Sequence, residues 1–67
     1  MAIKIISQNE YFNLPDYQRN RYVWDDVFSD RESAMTHAKW LNNRGKDVLV
    51  IIDTSDYKDT WRVYATR

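Results

Sequence analysis

One segment constrains this chain more than any other. Asp47 to Asp53 reads Asp-Val-Leu-Val-Ile-Ile-Asp, five consecutive apolar residues between two acids. A strand with one wet face alternates apolar and polar residues. An unbroken apolar run of this length instead points to a central strand covered on both faces. Only 67 residues are present to supply that cover, and a chain of this size is expected to form a single domain over 1–67 with one core. What covers the second face is therefore the question the sequence poses.

The remaining elements follow from local signals. Ile3 to Ser7 is a short β-branched run and predicts a first strand. Gln8 to Asn20 mixes the turn formers Asn9, Asn13, Pro15, Asp16 and Asn20 with Tyr11, Phe12, Leu14 and Tyr17, which predicts an ordered loop packed on something. Arg21 to Phe28 is rich in strand formers, and the pair Asp25-Asp26 inside it marks a bulge or an exposed edge. Thr54 to Asp59 is a polar turn region, and Thr60 to Thr66 alternates at period two as a final strand that forms a hairpin with the apolar run.

Between the second and third strands, Ser29-Asp30-Arg31-Glu32 fits a capping box with Ser29 as the N-cap. The helix it opens should run to about Asn43, and Gly45, the only glycine, supplies the left-handed residue that ends it. On a helical wheel Ala34, Ala38 and Leu41 form the apolar stripe, flanked by Met35 and His37; two alanines there imply close helix-to-sheet contact. Trp40 falls about 100° off that stripe, on the side of Ser33, His37 and Arg44, and is not expected to be fully buried. The order strand, loop, strand, helix, strand, strand predicts an α+β fold: a mostly antiparallel sheet of about four strands with one helix on one face.

Composition narrows function mainly by exclusion. Without cysteine, disulfide scaffolds, thiolate zinc sites and cysteine nucleophiles are all ruled out, and a reducing cytoplasm is the simplest location. The apolar part of the N-terminal segment is too short for a signal peptide or a membrane span. Ten acids balance ten bases, which leaves no general counterion-release drive toward nucleic acid. That neutrality is an average: residues 1–33 carry six acids and four bases, and residues 34–67 carry four acids and six bases.

The uncovered sheet face is the place to look for function. In the last strand Trp61, Val63 and Ala65 share the side expected to meet the helix, which leaves Arg62 and Tyr64 outward. If the valines of the second strand also point inward, Tyr22 and Trp24 join Arg62 and Tyr64 in one aromatic and basic surface. Three readings follow. The aromatics complete a second small core under the 8–20 segment; they anchor a protein contact, with Trp40 and Arg44 as a separate anchor on the helix; or Tyr22, Trp24 and Tyr64 stack nucleic-acid bases while Arg19, Arg21 and Arg62 meet phosphates.

Enzymatic readings are weaker, and the chain is read as a non-enzyme with no cofactor and no metal. His37 is the only imidazole, and triads drawn from Ser29, Ser33 or Ser55 lack any nucleophile-elbow pattern. His37 reads better as a partly buried structural residue. Asp53, Asp56 and Asp59 lack the frame of a calcium loop and read as Asx turns at a solvated hairpin end. Asp25 and Asp26 lack a third metal ligand, and one glycine cannot make a phosphate loop.

The leading expectation is a small non-enzymatic protein-binding module, an inhibitor or adaptor acting by steric docking through Tyr22, Trp24, Trp40, Arg44, Arg62 and Tyr64. A nucleic-acid binder using the same sheet face is second, and a homodimer third. Size and style are shared with many phage-encoded inhibitors of host enzymes or defence complexes, an analogy without motif support.

Overall fold

In the computed structural model, which describes residues 2–54 and 59–67, the apolar run lies in the middle of a four-stranded sheet. The elements are β1 (Ile3–Ser7), α1 (Gln8–Phe12), α2 (Asp16–Arg19), β2 (Tyr22–Phe28), α3 (Arg31–Asn43), β3 (Val48–Asp53) and β4 (Thr60–Thr66). The sheet order is β1-β3-β4-β2. β3 pairs parallel with β1 and antiparallel with β4, and β4 pairs antiparallel with β2. β2 and β3 are therefore parallel to each other with β4 between them, and α3 makes the crossover of a split β-α-β unit. This is the expected α+β class, with a single parallel pair at the β1 edge. Residues 55–58, and with them the middle of the predicted turn at 54–59, Ser55 and Asp56, lie outside the described residues.

α3 packs on one face of the sheet as its stripe demands. Ala34, Ala38 and Leu41 are buried against Val48, Val50, Val63 and Ala65, with Ile3, Phe28, Met35 and Trp61 packed around them. The predicted cap is one residue early. The N-cap is Asp30, whose side chain accepts from the Ser33 amide at 2.9 Å; a carboxylate at this place complements the helix dipole better than a hydroxyl. At the other end Gly45 takes φ 90°. The amides of Gly45 and Lys46 reach back to the carbonyls of Asn42 and Leu41, the paired bonds that close a helix through a left-handed residue.

The 8–20 segment is helical rather than a loop. Ser7 caps α1, accepting from the Glu10 amide at 3.2 Å, and Pro15 opens α2. Neither helix buries a residue of its own. α1 lies on the face opposite α3, where Tyr11 stacks on Tyr64 with ring centroids 5.6 Å apart; Leu14 between the two helices and Gln18 of α2 line, with Ile6 and Leu49, a cavity of about 470 Å³ on the same face. Leu49, on this second face, is 1% exposed.

β2 resolves its ambiguous parity by changing it. The register with β4 runs Tyr22↔Thr66, Val23↔Ala65, Trp24↔Tyr64 and then slips to Asp26↔Val63, Val27↔Arg62, Phe28↔Trp61. Tyr22, Trp24 and Val27 thus share the face of Tyr64, while Val23 and Phe28 share the face of α3; neither alternating set is wholly inside. The Asp26 carboxylate accepts from the Val27 amide at 2.8 Å beside the slip, and the bulge with its two acids sits on an exposed edge strand, where it discourages further pairing.

Asp47 ties three strand ends together. Its carboxylate accepts from the Ala2 amide at 3.1 Å and from Arg21 at 3.3 Å. Its amide donates to the Thr66 hydroxyl at 3.1 Å, and its carbonyl accepts from the Thr66 amide at 3.0 Å.

Candidate functional site

The six residues singled out in the sequence fall on two surfaces. Tyr22, Trp24, Arg62 and Tyr64 belong to the sheet face opposite α3, and Trp40 and Arg44 to the flank of α3. Most of the sheet group is occupied internally. Tyr64 lies beneath Tyr11, and Tyr22 is half-buried. The Arg62 guanidinium donates to Asp53 at 3.0 Å, and Asp53 is 7% exposed. The sequence placed Asp53 at a solvated hairpin end. Its position opposite Thr60, next to the Arg62 row, puts it instead in the covered part of the sheet, where a carboxylate requires a charged partner. Of the sheet group only Trp24 stays largely open, at 55% exposure.

The helix flank is different in kind. His37, Trp40 and Arg44 recur at intervals of three and four and so lie along one side of α3. The Arg44 guanidinium, at the helix C-cap, sits over the Trp40 ring, 4.8 Å from its centroid. Trp40 stacks on His37 at 5.6 Å with a 24° interplanar angle, and His37 meets Phe28 of β2 at 5.4 Å. The Nε2–H of His37 donates to the Asp25 carboxylate, anchoring the ladder to the bulge. Every rung is held by a neighbour, yet Trp40 remains 53% exposed. Phe28 and Asp25 are members that the sequence reading missed, because only the crossover brings the end of β2 beside α3. The spacing of His37, Trp40 and Arg44 was a visible signal.

Beside the ladder lies an open groove of about 480 Å³. Phe28, His37 and Trp40 form its aromatic walls, and Asp30 and Glu32 contribute carboxylates. The Asp30 carboxyl is held below its ordinary value of 3.8 by the Ser33 amide, and further by the Ser33 hydroxyl. Of the hydroxyls that line the groove, that of Thr36 donates to the Glu32 carbonyl at 2.9 Å.

Asp25 and Asp26 turn to different partners, His37 and the Val27 amide, so the pair does not converge on a common point. Among the described residues no group of three or more His, Cys, Asp or Glu is placed to hold a metal ion. No described helix is long and apolar enough to cross a membrane.

No protein-family model matches the chain, and no curated protein or solved structure matches it significantly.

Proposed function

We propose that the protein is a non-enzymatic docking module that binds a macromolecular partner through the flank of α3, with Trp40 as the central anchor and Arg44 beside it, and acts by occluding the partner's surface. The observation that carries this reading is the ladder Phe28–His37–Trp40–Arg44, ordered by its own contacts yet leaving about half of Trp40 in water. Tryptophan and arginine are the side chains that most often dominate interface energies. A ring already fixed by stacking loses little rotamer freedom on binding, so more of its contact energy is available for affinity. The lack of cysteine fits action in a reducing compartment such as the cytoplasm. Occlusion of a host enzyme, as by phage-type inhibitors, is one form such docking takes.

Base stacking is less well supported, since Tyr64 is engaged by Tyr11 and Arg62 by Asp53, which leaves Trp24 as the main open platform.

The test uses the full chain as bait in its native cytoplasmic extract. A protein held by the wild type is expected to be lost with Trp40→Ala, weakened with Arg44→Ala and retained with Tyr64→Phe, with the Trp40→Ala melting midpoint within about 5 °C of wild type. Capture indifferent to Trp40, or lost through collapse of the fold, would refute the reading. Salt-sensitive quenching of tryptophan fluorescence by single-stranded oligonucleotides would instead favour nucleic acid. A concentration-dependent dimer by light scattering would favour self-association.

A further inference from the structure

We propose that the open edge of β1 pairs with β1 of a second copy of the chain, antiparallel and centred on Ile5, joining two four-stranded sheets into one of eight strands. The two edges of the sheet differ. β2 carries a register slip and the acids Asp25 and Asp26, features that discourage further pairing. β1 has neither: Ile3-Lys4-Ile5-Ile6-Ser7 keeps an unbroken register with β3, its only neighbour in the sheet, and Lys4 is its one charge. Lys4, Ile5 and Ser7 are exposed, Ile5 at 38%. An edge lysine opposes pairing unless the incoming strand brings it to a counter-charge, so the register decides whether this edge is closed or open.

Backbone geometry fixes what the edge offers. The Val48 amide donates to the Ala2 carbonyl at 2.9 Å, so Ala2, Lys4 and Ile6 turn their amides and carbonyls toward β3, and those of Ile3, Ile5 and Ser7 point outward. In a two-fold pair, outward residues meet outward residues. With Ile5 on the axis, Ile5 bonds to Ile5 and Ile3 meets Ser7. Lys4 then stands opposite Ile6 of the second copy in a close pair without hydrogen bonds. Moving the axis to Lys4 would set lysine against lysine. Moving it to Ile6 would leave Ile3 facing Asn9, inside α1.

Charge selects the same register. Lys4 and Ile6 pair with Leu49 and Ile51 and so share the face opposite α3, where both line the cavity of about 470 Å³ together with Glu10 of α1. Ile5 lines it too, which for a residue of the other parity places the cavity mouth at the edge itself. Neither Lys4 nor Glu10 has an ion pair among the described residues, and Arg21, the cavity's other cation, is held by Asp47. A lysine delivered opposite Ile6 therefore enters the space that holds Glu10. By symmetry each copy gives one lysine and one glutamate, and the joined cavities gain no net charge. The ladder of Phe28, His37, Trp40 and Arg44 meets the sheet at β2, the far edge, so both docking flanks stay free.

The experiment is sedimentation equilibrium of the full chain from about 10 µM to about 1 mM, a range suited to a small interface, with isotope-filtered NMR on a mixture of labelled and unlabelled chains. A concentration-dependent dimer is expected, with an intermolecular contact between the Hα protons of Lys4 and Ile6. Ile5→Lys, at an exposed side chain, should weaken association about tenfold by setting two like charges on the axis. Lys4→Glu and Glu10→Lys should each weaken it about tenfold, since each change acts twice in the pair. An equimolar mixture of those two variants should associate at near wild-type strength, because both contacts between the chains are again of opposite sign. A monomer throughout, indifference to Ile5→Lys, no recovery in the mixture, or a dimer lost with Trp40→Ala, which would put the self-contact on α3, would each overturn the proposal. Docking through α3 is judged separately, by capture of a partner with and without Trp40, and its failure would leave the β1 pair untouched.

Discussion

The two faces of β3 are covered by different means. Val48 and Val50 are roofed by one long helix whose alanine stripe lets it sit close to the sheet. Leu49 and Ile51, one residue out of phase on the same strand, are buried as deeply, but the helix on their side, α1, is short, buries none of its own residues and reaches the sheet through single side chains such as Tyr11. The first cover is a continuous surface and the second a set of separate props. Equal burial in one strand therefore need not mean equal stability, because stability depends on how cooperatively the cover is held.

Four changes test that contrast. The largest effect is expected for Leu41→Ala, which opens a cavity under the continuous cover; about 2–5 kcal/mol should be lost in chemical unfolding, and a loss below about 1 kcal/mol would show that the α3 face is no tighter than the other. Tyr64→Ala, which removes the prop under Tyr11, should cost about 2 kcal/mol. A double-mutant cycle with Tyr11→Ala should return a coupling of about 0.5–1.5 kcal/mol; no coupling would mean the stack contributes only area.

Next comes Arg62→Met, which preserves the stem but leaves the nearly buried Asp53 one charged partner short, at about 1–2 kcal/mol. The smallest effect concerns acid. Asp30 titrates lower in the fold than unfolded, so its stabilisation is present above about pH 4 and is lost as pH falls through the lower folded value. Asp30→Asn should therefore show a flatter midpoint between about pH 5 and pH 2 than wild type; parallel curves would remove the cap from the acid response.

Much of the architecture was legible because local rules carry it. The strand limits at Ile3–Ser7 and Thr60–Thr66, the Ala34–Ala38–Leu41 stripe and the glycine stop follow from β-branching, period and backbone chirality, which act within a few residues. The 8–20 segment was misread because its turn formers outweighed a Ser7-x-x-Glu10 capping signal that was present in the chain. The candidate site was half legible. Helical spacing grouped Trp40 with Arg44, but nothing local could pair His37 with Asp25 or withdraw Tyr64 beneath Tyr11, contacts that join residues 12 and 53 positions apart.

By itself, then, the sequence determined that residues 48–52 form a strand needing two covers, and that one cover is an alanine-faced helix, since hydrophobic period and caps are properties of short stretches. Only the tertiary structure decided what the second cover is, which way β2 turns at its bulge, and that Trp40 stays open while Tyr64 does not. Those outcomes depend on strand order and register, which are set by the packing of segments distant in sequence and leave no local trace.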